Sequence, residues 1–442
     1  MNLSPEEITA ALTAKVVAEG DPAPPIRATI DSGATGAGDL FFGLRGANRD
    51  GGEFAAAAIA AGVWGVAARP EHAAGLTGAW VFSVEDPLAA MQALARAWRR
   101  DLGAPVVGVT GSVGKTSVKD IARALLPGRV HANRENLNTE IGLPLTVLEA
   151  PDDTDLLVLE MAMRGAGQIA ELAAIAEPEV AVITNVGPVH VELLGSVEAI
   201  AAAKAEVLDA LPPDGVAVAP AAAGELEPHL ERAPRLLRFG PGGDVAASEV
   251  KVTGAVTEAL ISTPTGSERF HLPFAEAHNL TNALAAVAAG VALGAPLAEM
   301  ADRASNIGFS RFRGERIELG NGIVLVNDCY NANPVSMRAA LDHLASLGAP
   351  RTVAVLGEMG ELGPGAAGFH REVGEHARAA GVDLLLGVGL PARDYDPDEL
   401  VADPGEAAEL LAAQLRPGDA VLVKGSRSAG LEAVADELAE LV

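Results

Sequence analysis

The run Gly108-Val109-Thr110-Gly111-Ser112-Val113-Gly114-Lys115-Thr116 has the residue types that hold a phosphate chain. Glycines let backbone N–H groups close around phosphate oxygens, Lys115 would neutralise the terminal phosphates, and the Thr116 hydroxyl suits Mg²⁺. The general spacing is Gly, four residues, then Gly-Lys-Ser/Thr. Here Val109 holds the first-glycine position and Gly108 stands one residue early. A preceding apolar run and a following helix-forming stretch give the right strand–loop–helix context. An ordinary glycine-rich strand-to-helix turn is the alternative.

Further groups lie where neighbouring strands should end, the edge at which open α/β sheets collect ligands. Leu156-Leu157-Val158-Leu159 runs into Glu160, and Val182-Ile183-Thr184-Asn185 into Gly187-Pro188-Val189-His190. A carboxylate and an imidazole there could hold a metal ion beside a terminal phosphate. Glu160 could equally cap the next helix, and His190 could be an ordinary loop histidine. Lys204 stands out among six lysines. Its neighbours three and four residues away, Ala201, Ile200, Val207 and Leu208, are apolar, so it shares the buried stripe of a helix with no carboxylate to pair with. Burial favours the neutral amine, which can attack an electrophile or take up CO₂ as a carbamate. A snorkelling lysine at the stripe edge is the other reading.

The elements that must position these groups follow from the rest of the chain. Its 442 residues suggest about three domains, and 49% hydrophobic with 21% charged residues suffices for large cores. A net charge of −27 disfavours non-specific nucleic-acid binding, although an anion could enter a local positive pocket. The single cysteine, Cys329, excludes a disulfide framework and a cysteine-built zinc site, and the nine histidines contain no zinc-type spacing. Ser4-x-x-Glu7 with Pro5 reads as a capping box that opens a helix. No targeting segment or membrane span is found, so a cytoplasmic protein is expected.

The spacing predicts a strand at 39–44, a helix at 51–61, a strand at 63–67 and a helix at 88–102 that ends at Gly103-Ala104-Pro105. Apolar strands at 106–109, 156–159 and 180–183 alternating with helices predict a parallel sheet, with a small antiparallel add-on at 245–274. Strands at 323–326, 352–356, 384–388 and 420–423 predict a third, open α/β block from Arg311. The expected class is α/β in three domains: a mixed α/β domain at 1–104, a central P-loop parallel-sheet domain with its antiparallel add-on at 105–310, and a Rossmann-like open sheet at 311–442.

Taken together, these residues resemble the Mur ligase family, ATP-dependent enzymes that extend the peptidoglycan precursor peptide. The loop from Thr110 to Thr116 is similar to the family's shortened phosphate loop. Asn185-Val186-Gly187-Pro188-Val189-His190 and Lys204-Ala205-Glu206 resemble its metal-loop and carbamylated-lysine segments. His278-Asn279-Leu280-Thr281-Asn282 resembles its adenine-side segment. Arg313 best matches the hinge arginine, with Arg316 second. Tyr330-Asn331-Ala332-Asn333-Pro334 is similar to the branch that adds D-alanyl-D-alanine to UDP-N-acetylmuramoyl-tripeptide, and Leu356 to Gly363 and Lys424-Gly425-Ser426-Arg427 fit that branch. Two departures fall in the first domain. Gly33 stands where Asp-Ser-Arg is common, and Gly52 where Asp-Gly-His is common.

The resemblance implies an acyl-phosphate route. The substrate carboxylate takes the γ-phosphate of ATP, and the amine of the dipeptide then displaces phosphate. It implies that Thr110, Gly111, Ser112, Val113, Gly114, Lys115 and Thr116 hold the phosphates. Thr116 and Glu160 would hold one Mg²⁺, and His190 and carbamylated Lys204 a second. Asn279 and Asn282 would lie near adenine, Asp328 near ribose, and Arg313 on ATP phosphate. Ser32 and Arg45 would contact the UDP sugar, and Tyr330, Asn331, Asn333 and Lys424 the incoming dipeptide. For Asn331 and Asn333, turn-making competes with that role. A monomer is expected. The alternatives are a folylpolyglutamate synthase-like amide ligase and a regulatory protein that uses ATP as a switch.

Overall fold

The computed structural model describes residues 1–189 and 191–441, with the side chains at 439 and 441 left aside. The first helix, Pro5–Leu12, opens on the expected capping box: Ser4 Oγ accepts from Glu7 N and the Glu7 carboxylate from Ser4 N. The first sheet contains β1 (Lys15–Ala18), β2 (Arg27–Thr29), β3 (Asp39–Phe42), β4 (Gly65–Ala68) and β5 (Trp80–Ser83), in the order β1-β5-β4-β3-β2. Only the β1–β5 pair is antiparallel.

The helix expected at 51–61 is α-helical only over Ala55–Ala60 and begins as a 3₁₀ turn, Gly51–Phe54. The glycines explain the tight start. A Cβ at Gly51 would meet the Leu44 carbonyl oxygen at 2.5 Å, and one at Gly52 would run into the His72 ring. An imidazole thus covers the place where the resemblance puts a histidine, but it comes from position 72.

Helix Pro87–Leu102 is capped by Asp86 and ended by the left-handed Gly103. Its buried face does not stop at the first sheet. Leu94, Ala95 and Trp98 share one core with Leu143, Val147, Leu157 and Ile169 of the next block. Trp98 Nε1 donates to the Ala150 carbonyl at 3.1 Å, and Arg99 to the carbonyls of Ala176 and Glu177.

The central sheet is parallel throughout. Its strands are β6 (Val106–Thr110), β7 (Val130–Ala132), β8 (Leu156–Glu160), β9 (Val180–Ile183), β10 (Val216–Pro220) and β11 (Arg235–Phe239), in the order β11-β10-β9-β6-β8-β7. From β6 the chain runs to the edge strand β7, returns to lay β8 between β7 and β6, then crosses to the other side of β6 with β9. The carboxyl end of β6 is therefore a topological switch point, where the ligand crevice of such a sheet opens. The add-on is antiparallel, as expected: β12 (Ala246–Thr253), β13 (Val256–Thr263) and β14 (Gly266–Leu272).

The last block contains β15 (Glu315–Glu318), β16 (Val324–Asn327), β17 (Thr352–Leu356), β18 (Leu384–Val388), β19 (Glu399–Val401) and β20 (Ala420–Lys424), in the order β15-β16-β20-β17-β18-β19. The edge strand β15 runs antiparallel and the other pairings are parallel. Its helices cover both faces and close two cores of its own. Among the described residues no helix is long and apolar enough to cross a membrane.

Candidate active site

The register of the central sheet brings three loops to one edge. Glu160, the last residue of β8, pairs with Val109, and Ile183, the last residue of β9, pairs with Thr110. The glycine-rich loop leaves β6 between them and enters helix Lys115–Leu125. Gly111 has a φ of +148°, and a Cβ there would run into the Thr184 hydroxyl, so this position needs glycine. The β9 loop clamps the phosphate loop from the side. Val113 N donates to Asn185 Oδ1 at 2.9 Å, Thr184 Oγ1 to the Val113 carbonyl at 2.5 Å, and Ser112 Oγ to the Gly187 carbonyl at 3.1 Å.

Two lysines meet on this loop. Lys115 Nζ and Lys204 Nζ each donate to the Gly111 carbonyl oxygen at 2.9 Å. Lys204 arrives from helix Val197–Ala205 and is only 2% exposed, so it does not snorkel outward. Burial, and then the Lys115 charge, push its amine well below the ordinary lysine range. Lys115 is also lowered, first by burial and then by Arg313, and the Glu160 carboxylate opposes the shift.

Glu160 is 2% exposed, and its Oε1 accepts from Asn138 Nδ2 at 2.8 Å. Its other oxygen, Oε2, is buried without a hydrogen-bond partner. Its side chain is not spent on capping: the next helix, Gln168–Ala176, has no side-chain cap. A buried carboxylate oxygen left bare is costly, and a hard cation would satisfy it. The donor set also fits Mg²⁺, which takes one or two carboxylates and completes its shell with phosphate oxygens and water. No cluster of three or more acidic, histidine or cysteine residues that would suit a more demanding metal occurs among the described residues. His190 lies outside the described residues.

Arg313 reaches this site from the start of the last block. Its Nη2 donates to Thr116 Oγ1 at 3.1 Å, its guanidinium stacks 4.0 Å from the Tyr330 ring centroid, and its Nε is buried without a partner. Arg316 instead pairs with Glu318 at 3.5 Å. On the other flank of the loop, Asn282 Nδ2 donates to Asn279 Oδ1 at 3.1 Å, and a Cβ at Gly114 would meet Asn282 Oδ1 at 2.5 Å. Glu276, which precedes helix Ala277–Ala292, contacts His343 of the last block at 3.4 Å. A cavity of about 1050 Å³ opens here between the blocks and is lined by His278, Thr281, Arg316 and His343. It lies beside the phosphate loop rather than over it.

The remaining predicted residues divide. Asp328 follows β16, and Lys424 ends β20 beside it. The two pair at 2.5 Å, and Lys424 also donates to the Asn331 carbonyl at 3.1 Å. Lys424, 2% exposed, thus holds the Asp328–Asn333 loop together rather than reaching outward. Asn333 caps helix Pro334–Ser346, its Oδ1 accepting from Val335 N and Ser336 N, and Asn331 Oδ1 accepts from Ala332 N. Of the two competing roles for these asparagines, turn-making is the one seen. Ser32 and Arg45 lie in the first block, away from the loop. Ser32 offers its carbonyl to Thr35, and Arg45 bridges Asp50 through the backbone.

Sequence reasoning missed Asn133 and Asn138. Asn133 Oδ1 accepts from Glu160 N at 2.6 Å, and Asn138 orients the Glu160 carboxylate. The available signal was three asparagines, 133, 136 and 138, in one loop after β7 at the ligand edge of the sheet.

The Mur ligase middle domain matches residues 109–290, and the Mur ligase, glutamate ligase domain matches residues 312–427. The UDP-N-acetylmuramoyl-tripeptide--D-alanyl-D-alanine ligase of Synechocystis is 40% identical, covering 91% of this chain and 89% of its own length. Among solved structures, MurF from Acinetobacter baumannii superposes with a TM-score of 0.90 at 29% identity, covering 100% of this chain and 99% of that one. MurF ligase from Thermotoga maritima in complex with ADP superposes with a TM-score of 0.84 at 30% identity, covering 94% and 97%.

Proposed function

The chain belongs to the Mur ligase family, and on that premise we propose that it uses ATP to join D-alanyl-D-alanine to UDP-N-acetylmuramoyl-tripeptide, a step in peptidoglycan precursor synthesis. The observation that carries the chemistry is the convergence of Lys115, Lys204, Glu160 and Arg313 around the Gly111 loop.

Two anionic partners must meet, so catalysis consists largely of positioning and of cations placed where charge develops. A carboxylate oxygen of the tripeptide attacks the γ-phosphorus of ATP. The bond from that phosphorus to the β–γ bridging oxygen breaks, and ADP leaves with the electron pair. The neutral amine of D-alanyl-D-alanine then attacks the acyl carbon. Phosphate leaves with the original carboxylate oxygen, and the amine loses a proton.

Lys115 and the loop amides from Thr110 to Thr116 hold the β- and γ-phosphates, and Arg313 reaches the phosphate from the hinge. Asn279 and Asn282 lie on the adenine side, and Asp328 on the ribose side. When bound, Mg²⁺ neutralises phosphate charge. Thr116 and Glu160 would hold one ion, and His190 and Lys204 a second. The lowered amine of Lys204 supports its conversion to a carbamate, which would replace a buried cation with an anionic oxygen ligand.

On this reading residues 1–104 take the UDP sugar through Ser32 and Arg45, residues 105–310 take ATP, and residues 311–442 bring the dipeptide near Tyr330, Asn331 and Asn333. A cytoplasmic monomer that closes its last domain onto the ATP domain fits the reading. Isotope tracing tests the route. With the tripeptide carboxylate labelled in ¹⁸O, one labelled oxygen should appear in the released phosphate. Unlabelled phosphate alongside product would refute the acyl phosphate.

A further inference from the structure

The segment that delivers Arg313 is tied to the phosphate-loop helix at a second point. Asp120 Oδ2 accepts from the backbone N–H of Ser310 and from its hydroxyl, both at 2.8 Å. Asp120 lies four residues after Thr116 on helix Lys115–Leu125, so the two project from the same face. Three residues beyond Ser310, Arg313 touches Thr116 Oγ1. The segment 310–313 therefore lies along one face of the helix, fastened at Asp120 and in contact at Thr116.

The fastening is buried and braced. Asp120 is 7% exposed, and its Oδ1 sits 3.0 Å from Nζ of Lys119, which is 2% exposed. Lys119 in turn donates to the Asn133 carbonyl at 3.0 Å, and the Asn133 side chain receives the Glu160 N–H. Between fastening and contact the backbone turns at Phe312, with a φ of +62°, and it turns again just past Arg313 at Gly314, with a φ of +71°. A left-handed conformation disfavours a residue with a side chain, so the Phe312 turn needs firm ends.

We infer that Asp120 and Ser310 are positioning residues for Arg313. Their hydrogen bonds fix the start of the hinge on the phosphate-loop helix, so that the guanidinium stays aimed at the phosphate site while the last domain moves. The inference rests on the proposed role of Arg313 at ATP phosphate. Releasing the pin leaves Lys115 and the loop amides untouched, so ATP binding is retained and turnover falls.

The test is steady-state phosphate release with all three substrates for D120A, S310A, S310T, R313A and the doubles D120A/R313A and S310A/R313A. Misplacement of a catalytic group by about 1 Å can cost about 100-fold. D120A should lower kcat roughly 10–100-fold and S310A roughly 3–10-fold, with the KM for ATP within about twofold, and S310T should stay near wild type. In the R313A background neither substitution should lower kcat further, because the pin acts through Arg313. Full kcat in S310A, or losses that multiply with that of R313A, would overturn the inference. If D120A fails to fold, S310A removes a single hydroxyl and carries the test. R313A at wild-type kcat would remove the role of Arg313 and the pin together. An R313A defect that multiplies with S310A removes the pin alone.

Discussion

The amines of Lys115 and Lys204 share one acceptor, the carbonyl oxygen of Gly111, each at 2.9 Å. Two cations do not settle side by side in a buried site, and Lys204 gives way: burial and the neighbouring charge hold it well below its ordinary range. Its folded-state pKa lies below that of the unfolded chain. Between those two values the unfolded chain holds the extra proton, so this group makes stability climb as pH rises. K204M should remove that slope in denaturation curves across the interval and raise the Tm. K204M should also be inactive. K204A should regain part of its turnover with added acetate or formate. Full activity of K204A without added acid would end its role as a ligand.

In the proposed function Lys115 neutralises the terminal phosphates. K115A should lower dipeptide-dependent phosphate release by at least about 100–1,000-fold, the cost of losing one preorganised charge at a site of developing charge. Wild-type turnover in K115A would refute the loop assignment.

The orphaned Oε2 of Glu160 and the Asn138 bond to Oε1 define a carboxylate aimed by its neighbour. N138A should raise the Mg²⁺ concentration needed for half-maximal turnover about 10–100-fold, as loss of an outer-shell partner does, and E160Q should not be rescued by excess Mg²⁺. An unchanged Mg²⁺ requirement in N138A would contradict this account.

Trp98 joins the first sheet to the second through one core and one hydrogen bond. W98A should cost about 3–5 kcal/mol, the price of removing a buried tryptophan, and should shift the melting of both blocks together. A calorimetric scan in which only one of two transitions moves would contradict a shared core.

The fold was legible where local rules act alone. Apolar runs marked β17 and β18 to the residue, and the Ser4 box marked the first helix. Lys204 could be singled out because a charged residue on an apolar stripe breaks a local pattern. The partners of these groups could not be read. Asp120 and Ser310 are 190 residues apart in the chain, and Asn138 and Glu160 are 22 apart, so nothing local announces either bond. Asn333 looked like a ligand residue or a turn residue in sequence, and only the helix beginning at Pro334 shows its side chain spent on capping. The partner of Lys424 is just as non-local, since the neighbouring end of β16 supplies Asp328.

Phosphate release by the wild-type protein, with each substrate omitted in turn, tests the central claim most directly. The account predicts rapid release with ATP, UDP-N-acetylmuramoyl-tripeptide and D-alanyl-D-alanine together, and near-background release when either acceptor is missing. Release that runs equally fast with ATP alone would contradict it.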